Sequence, residues 1–425
     1  MNPRRHRILL FAIVSGVALG LLCGVALPQL AVHFKLLGDL FLRMLKMIVV
    51  PLVLTSIMVG ISSLGDVRRI GRMGALTLGY YLSTTLIAVC LGIILVTAMQ
   101  PGRGISLDTK HEIAGLERMG MAGEEGEAPP TGLLLAWRFL LDMLNRMVAD
   151  NLFDAMARAD ILPLIVFALI LGGVLTTLGK TGENVLLVAR GLNDAIMQIV
   201  MLVLWFAPVG IFGLVAARFG KEVLAAGGIA GAEAILASLG RYMSVVLLGR
   251  AIHAVLFLPM ILFFVARRAP HRYAGNMLIA LLNAFGSASS SATLPITMEC
   301  TEKGNRVSPR AAQFVLPLGA TINMDGTALY EAVAAIFIAQ AYGLELSGAA
   351  VVIVAITATL ASIGAAGIPE AGLFTMAIVL QAVGLPFEGI ELIFVVDWIL
   401  DRFRTAVNVW GDAVGAAVVE RLDAA

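Results

Sequence analysis

Long apolar segments, each close to the length needed to cross a bilayer, dominate the first two thirds of the chain. A membrane-spanning helix needs about 20 mostly apolar residues. Hydrophobic residues make up 59% of the 425 residues and charged residues only 14%, whereas soluble domains are about a quarter charged. The chain is therefore predicted to be an all-α polytopic membrane protein. The apolar segments lie near 8–31, 38–64, 74–99, 160–178, 184–217 and 237–266.

The charged, cysteine and histidine residues do not favour an enzyme or a nucleic-acid-binding protein. The net charge is +1, which gives no reason to expect a nucleic-acid partner. Cys23, Cys90 and Cys300 are far apart, in neither a disulfide framework nor a metal-binding spacing. The five histidines are also scattered, and neither a nucleophile–base pair nor a phosphate loop is present. We therefore expect no catalytic activity and no bound zinc.

The distribution of arginines predicts the orientation of the first helices. Arg4, Arg5 and Arg7 precede the first apolar segment, which is too long for the core of a signal peptide and reads as an uncleaved helix. Positive residues favour the cytoplasmic side, so the N-terminus is predicted to be cytoplasmic. Three arginines in the loop at 66–72 agree with this orientation.

The last apolar segment carries polar and charged residues along one helical stripe. At about 100° per residue, the stripe covers an arc of about 100°. Ionisable groups at membrane depth usually face a protein interior or cavity and mark a substrate or ion path. Carboxylates, a guanidinium and an amide together suit a zwitterion and cations, although an interhelical salt-bridge seam would give the same pattern. The stripe consists of Asp397, Asp401, Arg404, Thr405, Asn408 and Asp412.

Two segments, 273–306 and 347–381, are each interrupted at the centre by small residues that end at a proline. Each half is too short to span a bilayer, which predicts two re-entrant hairpins. Pro295 precedes Asn323 by the same number of residues as Pro369 precedes Asp397. Such paired broken elements point to a transporter binding site. Packing of small residues between helices is the alternative.

A polar break is predicted in the helix between the two hairpins. Gly319 and Gly326 bracket Asn323 and Asp325, which predicts an unwound turn whose carbonyls and carboxylate suit Na⁺. Glu331 follows one turn later. A carboxyl group in apolar surroundings can carry a proton, and pairing of Glu331 with an arginine of the last helix is the alternative.

These motifs resemble those of the glutamate transporter family, the dicarboxylate/amino-acid:cation symporters that include the excitatory amino acid transporters. The resemblance covers nearly the whole chain. It implies a homotrimer with eight transmembrane helices and two re-entrant hairpins per protomer. It also implies elevator-type alternating access, with the second hairpin as a gate. The motifs lie at 80–85, 289–295, 323–328, 361–366 and 401–405.

The resemblance implies a scaffold and a mobile transport domain in the inner (plasma) membrane. Both termini are then cytoplasmic. The scaffold comprises 1–72, with helices one and two, and 136–230, with helices four and five. The transport domain comprises 73–99, the third helix, and 231–425, with helices six to eight and both hairpins. The stretch 100–135 is predicted to be an external loop.

The resemblance also assigns the substrate contacts. Arg404 would pair with the side-chain carboxylate of the substrate, which suits bidentate guanidinium geometry. Asp401 would accept the substrate amino group, and Asn408 and Ser290 would lie near its α-carboxylate. The full set of predicted substrate contacts is Ser290, Thr327, Ile368, Gly372, Asp401, Arg404, Thr405 and Asn408.

Three sodium sites are implied by the same resemblance, with Na⁺ as a co-transported ligand and no cofactor. The first set is Gly319, Asn323, Asn408 and Asp412. The second set is Tyr81, Thr84, Thr85, Asn323 and Asp325. The third set is Thr321, Ser362 and Ile363.

Two further matches imply coupling to protons and counter-transport of K⁺. Arg402 stands in the last helix, whereas archaeal sodium-coupled members carry an arginine in the first hairpin, where this chain has Ala288. Glu331 matches the proton-coupling residue of the animal members. The predicted function is symport of L-glutamate or L-aspartate. The alternatives are a dicarboxylate or neutral amino acid symporter of the same family, or a substrate-gated anion channel.

Overall fold

The structure is a computed structural model that describes residues 3–62, 71–103, 145, 147–158, 160–225, 228–363 and 371–424. Every regular element in these ranges is helical. The helices are α1 (Pro3–Ala26), α2 (Pro28–Ala31), α3 (Lys35–Ser62), α4 (Arg72–Met99), α5 (Leu152–Arg158), α6 (Ile161–Thr176), α7 (Lys180–Ala225), α8 (Ala230–Ile252), α9 (Leu258–Phe264), α10 (Pro270–Ser287), α11 (Ser290–Glu299), α12 (Pro309–Ile322), α13 (Asp325–Ala341), α14 (Gly348–Ile363), α15 (Ala371–Ala382) and α16 (Ile390–Asp423).

Several helices are long and apolar enough to cross a membrane. Among the described residues these spans are Pro28–Ser62, Arg72–Met99, Lys180–Ala225, Ala230–Phe264 and Pro309–Ala341. Apolar parts of α1 and α6 are shorter, and α16 is long enough to span but carries the charged stripe. The prediction of an all-α polytopic membrane protein is confirmed.

Close helix packing joins α1 and α3 to the long helix α7. The two interfaces use glycine, because small residues let helix backbones approach in a membrane protein. A methyl group at Gly213 of α7 would lie 3.0 Å from the backbone nitrogen of Gly38 on α3. A methyl group at Gly24 of α1 would lie 2.7 Å from Cβ of Phe219.

A second group of helices surrounds the pair α12 and α13. Helices α4, α8 and α16 all contact α13, and α16 also contacts α12. The α12–α13 span is buried inside the protein along its apolar window, as expected for a helix that is apolar all round. The division into scaffold and transport domain stays a prediction, because α3 also contacts α15.

Both predicted hairpins are pairs of packed helices, α10 with α11 and α14 with α15. In the first, Ala288 adopts the left-handed conformation (φ 49°) and the side chain of Ser289 accepts a hydrogen bond from the amide of Ala292 at 3.1 Å. This pairing of a left-handed residue with an N-cap reverses the chain. The tip of the second hairpin, with Ile368, and the predicted loop from residue 104 to 135 lie outside the described residues.

Candidate functional site

The polar stripe of α16 is buried, as the sequence predicts. Each of its six side chains is only 2–4% exposed. The ion pair within the stripe joins the guanidinium of Arg404 to the carboxylate of Asp401, one turn apart on the same helix. The alternative of a seam between helices therefore does not describe this pair. Nη1 of Arg404 also lies 4.0 Å from a carboxylate oxygen of Asp397.

Groups on two other helices enclose the arginine of this pair. The guanidinium of Arg404 lies over the ring of Tyr330 on α13, 5.1 Å from its centroid. The hydroxyl of Tyr330 donates a hydrogen bond to Asp397. A methyl group at Gly372, in the first turn of α15, would overlap the guanidinium. The second hairpin thus lies directly against Arg404, and a side chain at position 372 would require the guanidinium to move.

Two buried polar atoms close to the Arg404–Asp401 pair lack hydrogen-bond partners among the described residues. They are Nη1 of Arg404 and Oδ2 of Asp397. Buried polar groups are normally hydrogen-bonded, and exceptions indicate a ligand or a functional role. Nη1 of Arg404 can therefore donate a hydrogen bond to an anionic group of a ligand.

The remaining predicted substrate residues extend from this pair. Asn408 accepts a hydrogen bond from the amide of Gly326 at 2.8 Å and donates to Oγ1 of Thr327 at 3.2 Å. Thr405 is buried, and its hydroxyl donates to the carbonyl of Asp401 at 3.0 Å. Ser290 is buried at the start of α11, which packs on α16.

The predicted break between α12 and α13 is present at Asn323 and Met324, whose backbone angles are not helical. Asp412 accepts a hydrogen bond from Nδ2 of Asn323 at 2.9 Å. Oδ1 of Asn323 is buried and has no hydrogen-bond partner among the described residues. A methyl group at Gly319 would overlap Asp412 and lie 2.6 Å from the hydroxyl of Tyr81. The structure therefore brings Gly319, Asn323 and Asp412 of the first predicted sodium set together with Tyr81. Asn408, one turn before Asp412 on α16, bonds to Gly326 and Thr327 instead.

Asp325 is the centre of the second predicted set. Its Oδ1 accepts hydrogen bonds from Thr85 at 2.7 Å and from Thr84 at 3.2 Å, both on α4. Its Oδ2 lies 3.0 Å from Nε2 of His253, the residue directly after α8. Hydroxyl, amide and carboxylate oxygens are the ligands that hard cations prefer. The donor set fits Na⁺ as a transported ion.

The third predicted set lies on helices in contact, α12 and α14. The hydroxyl of Thr321 donates to the carbonyl of Leu318 at 3.0 Å. The hydroxyl of Ser362 donates to the carbonyl of Thr359 at 2.9 Å, and Ile363 is the last residue of α14. Both hydroxyls therefore bond within their own helices rather than to each other.

The two predicted coupling residues lie apart from each other. Glu331 is fully buried on α13, with Thr375 and Arg404 facing its carboxylate. Arg402 instead donates to the carbonyls of Phe285 and Gly286, both at 3.0 Å, near the end of α10. A cation suits these carbonyls at a helix C-terminus. The alternative ion pair between Glu331 and an arginine is not formed among the described residues.

Sequence reasoning missed two functional candidates at the C-terminal end of α8, Arg250 in its last turn and His253 directly after it. Arg250 is 2% exposed and donates to the carbonyls of Leu400 and Gly326 at 2.5 and 3.1 Å. His253 is buried against Asp325. Two ionisable residues three positions apart in an apolar segment were the available signal, by the same principle that identified the α16 stripe.

We expect Gly319→Ala to lower the free energy of unfolding by about 1–3 kcal/mol, because the added methyl group would overlap Asp412 and Tyr81. The measurement is thermal unfolding in detergent. Gly79→Ala on α4 is the control, since nothing lies within 4 Å of a methyl group there. Equal unfolding temperatures for the two variants would contradict the packing described for Gly319.

Comparison with known proteins identifies the family. Residues 9–422 match the model of the sodium:dicarboxylate symporter family. The chain is 39% identical to excitatory amino acid transporter 3 of Mus musculus, over 98% of this chain and 86% of that protein. It is 40% identical to neutral amino acid transporter B(0) of Oryctolagus cuniculus, over 96% of this chain and 78% of that protein. An excitatory amino acid transporter of Caenorhabditis elegans is 40% identical over 98% of this chain and 88% of that protein. The chain therefore belongs to the sodium:dicarboxylate symporter family and is a multi-pass membrane transporter homologous to the excitatory amino acid transporters, not an enzyme.

Proposed function

We propose that the protein is a secondary active symporter that takes up acidic amino acids, L-glutamate or L-aspartate, with cations. The observation that carries this proposal is the buried Arg404–Asp401 pair, in which Nη1 of Arg404 has no hydrogen-bond partner among the described residues. Arg404 would bind the side-chain carboxylate of the substrate. Asp401 would bind the ammonium group, so both charges remain compensated when the pair separates.

The same pair distinguishes the other substrate classes. A dicarboxylate lacks an ammonium group and would leave Asp401 without a cation beside two added carboxylates. A neutral amino acid would leave Arg404 without a carboxylate. An uncompensated buried charge is strongly unfavourable, which favours the acidic amino acid. A neutral amino acid is the second candidate, because one relative is named a neutral amino acid transporter.

Sodium is the proposed driving cation, and the helix break provides a route for coupling. A cation among Asn323, Asp325 and the α4 hydroxyls would hold the break in one conformation. The amide of Gly326, which follows Asp325, donates to Asn408 at 2.8 Å. Asn408 in turn faces Thr327 of the substrate set. Cation and substrate would then each strengthen binding of the other, as coupling between sites requires.

The proposal includes a homotrimer and elevator-type movement of 73–99 and 231–425 against a scaffold of 1–72 and 136–230. One ion pair crosses the proposed interface. Lys46 on α3 forms an ion pair of 2.8 Å with Glu388, just before α16, and lies over the ring of Phe387. Movement between the two proposed domains would break this pair. Placement in the plasma membrane with cytoplasmic termini belongs to the same proposal.

The proposal also includes proton coupling and K⁺ counter-transport, with Glu331 as the proton carrier and Arg402 as a second coupling residue. We expect Glu331→Gln to retain substrate binding and to lose any stimulation of uptake by an inward proton gradient, because the amide cannot exchange a proton. Uptake is measured in liposomes with and without that gradient. The control is Glu345→Gln, whose side chain is 91% exposed. Unchanged proton stimulation in Glu331→Gln would exclude Glu331 as the carrier.

The proposed function is tested by uptake of radiolabelled aspartate and glutamate into liposomes that contain the purified protein. Sodium, proton and outward K⁺ gradients are imposed one at a time. Accumulation that requires sodium supports the symporter. Accumulation driven by protons alone keeps the substrate site but removes sodium from the proposal. Substrate-dependent anion current without accumulation under any gradient would support the channel instead.

A further inference from the structure

A second buried arginine lies beside the candidate substrate site. The guanidinium of Arg250 reaches from α8 to two other helices and donates to the carbonyls of Leu400 on α16 and Gly326 on α13. It also lies over the ring of Tyr330, 5.6 Å from the centroid. A buried cation is costly unless carboxylates compensate its charge. The two carbonyls hold the guanidinium in place but do not neutralise it.

The compensating carboxylate is shared with the substrate arginine. The guanidinium groups of Arg250 and Arg404 both lie over Tyr330, whose hydroxyl donates to Asp397. Asp397 lies 4.0 Å from Nη1 of Arg404 and is hydrogen-bonded to the tyrosine over which Arg250 lies, and Asp401 pairs with Arg404. Two buried arginines thus lie beside two buried carboxylates, and the buried carboxyl group of Glu331 also faces Arg404.

Substrate binding would disturb this arrangement of charges in a specific way. An acidic amino acid that takes Arg404 and Asp401 removes one of the two cations that compensate Asp397. Oδ2 of Asp397 has no hydrogen-bond partner among the described residues, so Asp397 depends on charge compensation. The guanidinium of Arg250 would not move to the substrate, because it is hydrogen-bonded to the backbone of α13 and α16. It is therefore the cation that remains with Asp397.

We propose that Arg250 is a positioning residue for substrate recognition: it compensates Asp397 and so releases Arg404 to the substrate carboxylate. Without the charge at 250, Arg404 would be held by both carboxylates, and an acidic substrate would compete against them. Affinity for acidic amino acids would fall more than affinity for a neutral one. This inference rests on the proposed function and names a residue that sets its specificity.

The test measures the dissociation constants of aspartate and serine by calorimetry on the full-length protein in detergent. We expect Arg250→Gln, which keeps a donor for one carbonyl but removes the charge, to weaken aspartate binding by roughly 10- to 100-fold. Arg250→Lys retains the charge and should restore most of the affinity. Adding Asp397→Asn to Arg250→Gln should also restore aspartate binding, because the carboxylate that holds Arg404 is then gone.

The double variant separates this role from a structural one. If Arg250 only ties α8 to the two backbones, Asp397→Asn will not restore binding, and aspartate and serine will be affected equally; either result overturns the proposal. Arg241→Gln is the matched control, an exposed arginine of the same helix that bonds the carbonyl of Arg103. Should Arg250→Gln not fold, Arg250→Met is compared with Arg250→Met/Asp397→Asn in the same way. Wild-type protein that binds no aspartate would refute the proposed function itself, whereas wild-type binding with unchanged Arg250→Gln affinity refutes this inference alone.

Discussion

Replacing Arg404 by cysteine is expected to abolish uptake of aspartate and glutamate. The substitution removes the group proposed to bind the substrate side-chain carboxylate and leaves the carboxylates of Asp397 and Asp401 without their nearest cation. Removing one partner of a buried charge pair costs about 2–5 kcal/mol, and each 1.4 kcal/mol is a factor of about ten in affinity. Aspartate binding should therefore weaken by roughly 30-fold to several thousand-fold. Binding is measured by calorimetry and transport by uptake into liposomes.

Two comparisons make this result specific. Arg421→Cys removes an exposed arginine from the same helix and should leave uptake unchanged. Asp401→Asn should also abolish acidic amino acid uptake, because the ammonium group of the substrate loses its counter-charge. Aspartate transport by Arg404→Cys with wild-type affinity would show that Arg404 does not bind the substrate carboxylate.

The second large effect is expected from Asp325→Asn, which should remove the sodium dependence of aspartate binding. The side chain keeps its size, but the carboxylate that accepts hydrogen bonds from Thr84 and Thr85 loses its charge. Removing one charged partner of a buried ion pair, here the proposed pair of Asp325 with Na⁺, costs about 3–5 kcal/mol. Sodium affinity should therefore fall by roughly 100-fold or more. The measurement is aspartate binding as a function of sodium concentration.

The control for this substitution is Asp154→Asn. Asp154 is half exposed and pairs with Arg158 at 3.0 Å on α5, outside the candidate site. Aspartate binding by Asp154→Asn should depend on sodium as it does in the wild-type protein. An unchanged sodium dependence in Asp325→Asn would remove Asp325 from the proposed sodium ligands, while the substrate proposal would stand.

The sequence predicted those parts of the fold and the site that are local in the chain. Spacing placed the polar residues of α16 on one stripe, and all six are buried. The glycines around Asn323 predicted a break, which lies between α12 and α13. Small residues ending at Pro295 predicted a helical hairpin, and α10 and α11 form one. Periodicity and backbone propensity act over a few residues, so the chain alone reveals them.

Contacts between residues from distant segments of the chain were the main feature that the sequence did not reveal. Arg250 and His253 lie in an apolar segment without a recognisable motif, yet both contact the α12–α13 break or α16. Arg402 was expected to act in coupling, and the structure shows it at the carbonyls that end α10. These contacts join residues more than 70 positions apart, and periodicity carries no information about them.

The sequence by itself determined that this is a helical membrane protein with a charged, interior-facing final helix, because burying charge in lipid is too costly without a partner or a cavity. Spacing along α16 also sets the contacts of Arg404 with Asp401 and Asp397, whereas tertiary structure alone decided which groups from other helices join them. Arg404 lies against Asp401, Asp397 and the backbone of Gly372, and Arg250 adds a second cation from α8. The reason is physical: contacts between helices depend on how the helices pack, which sequence spacing does not reveal.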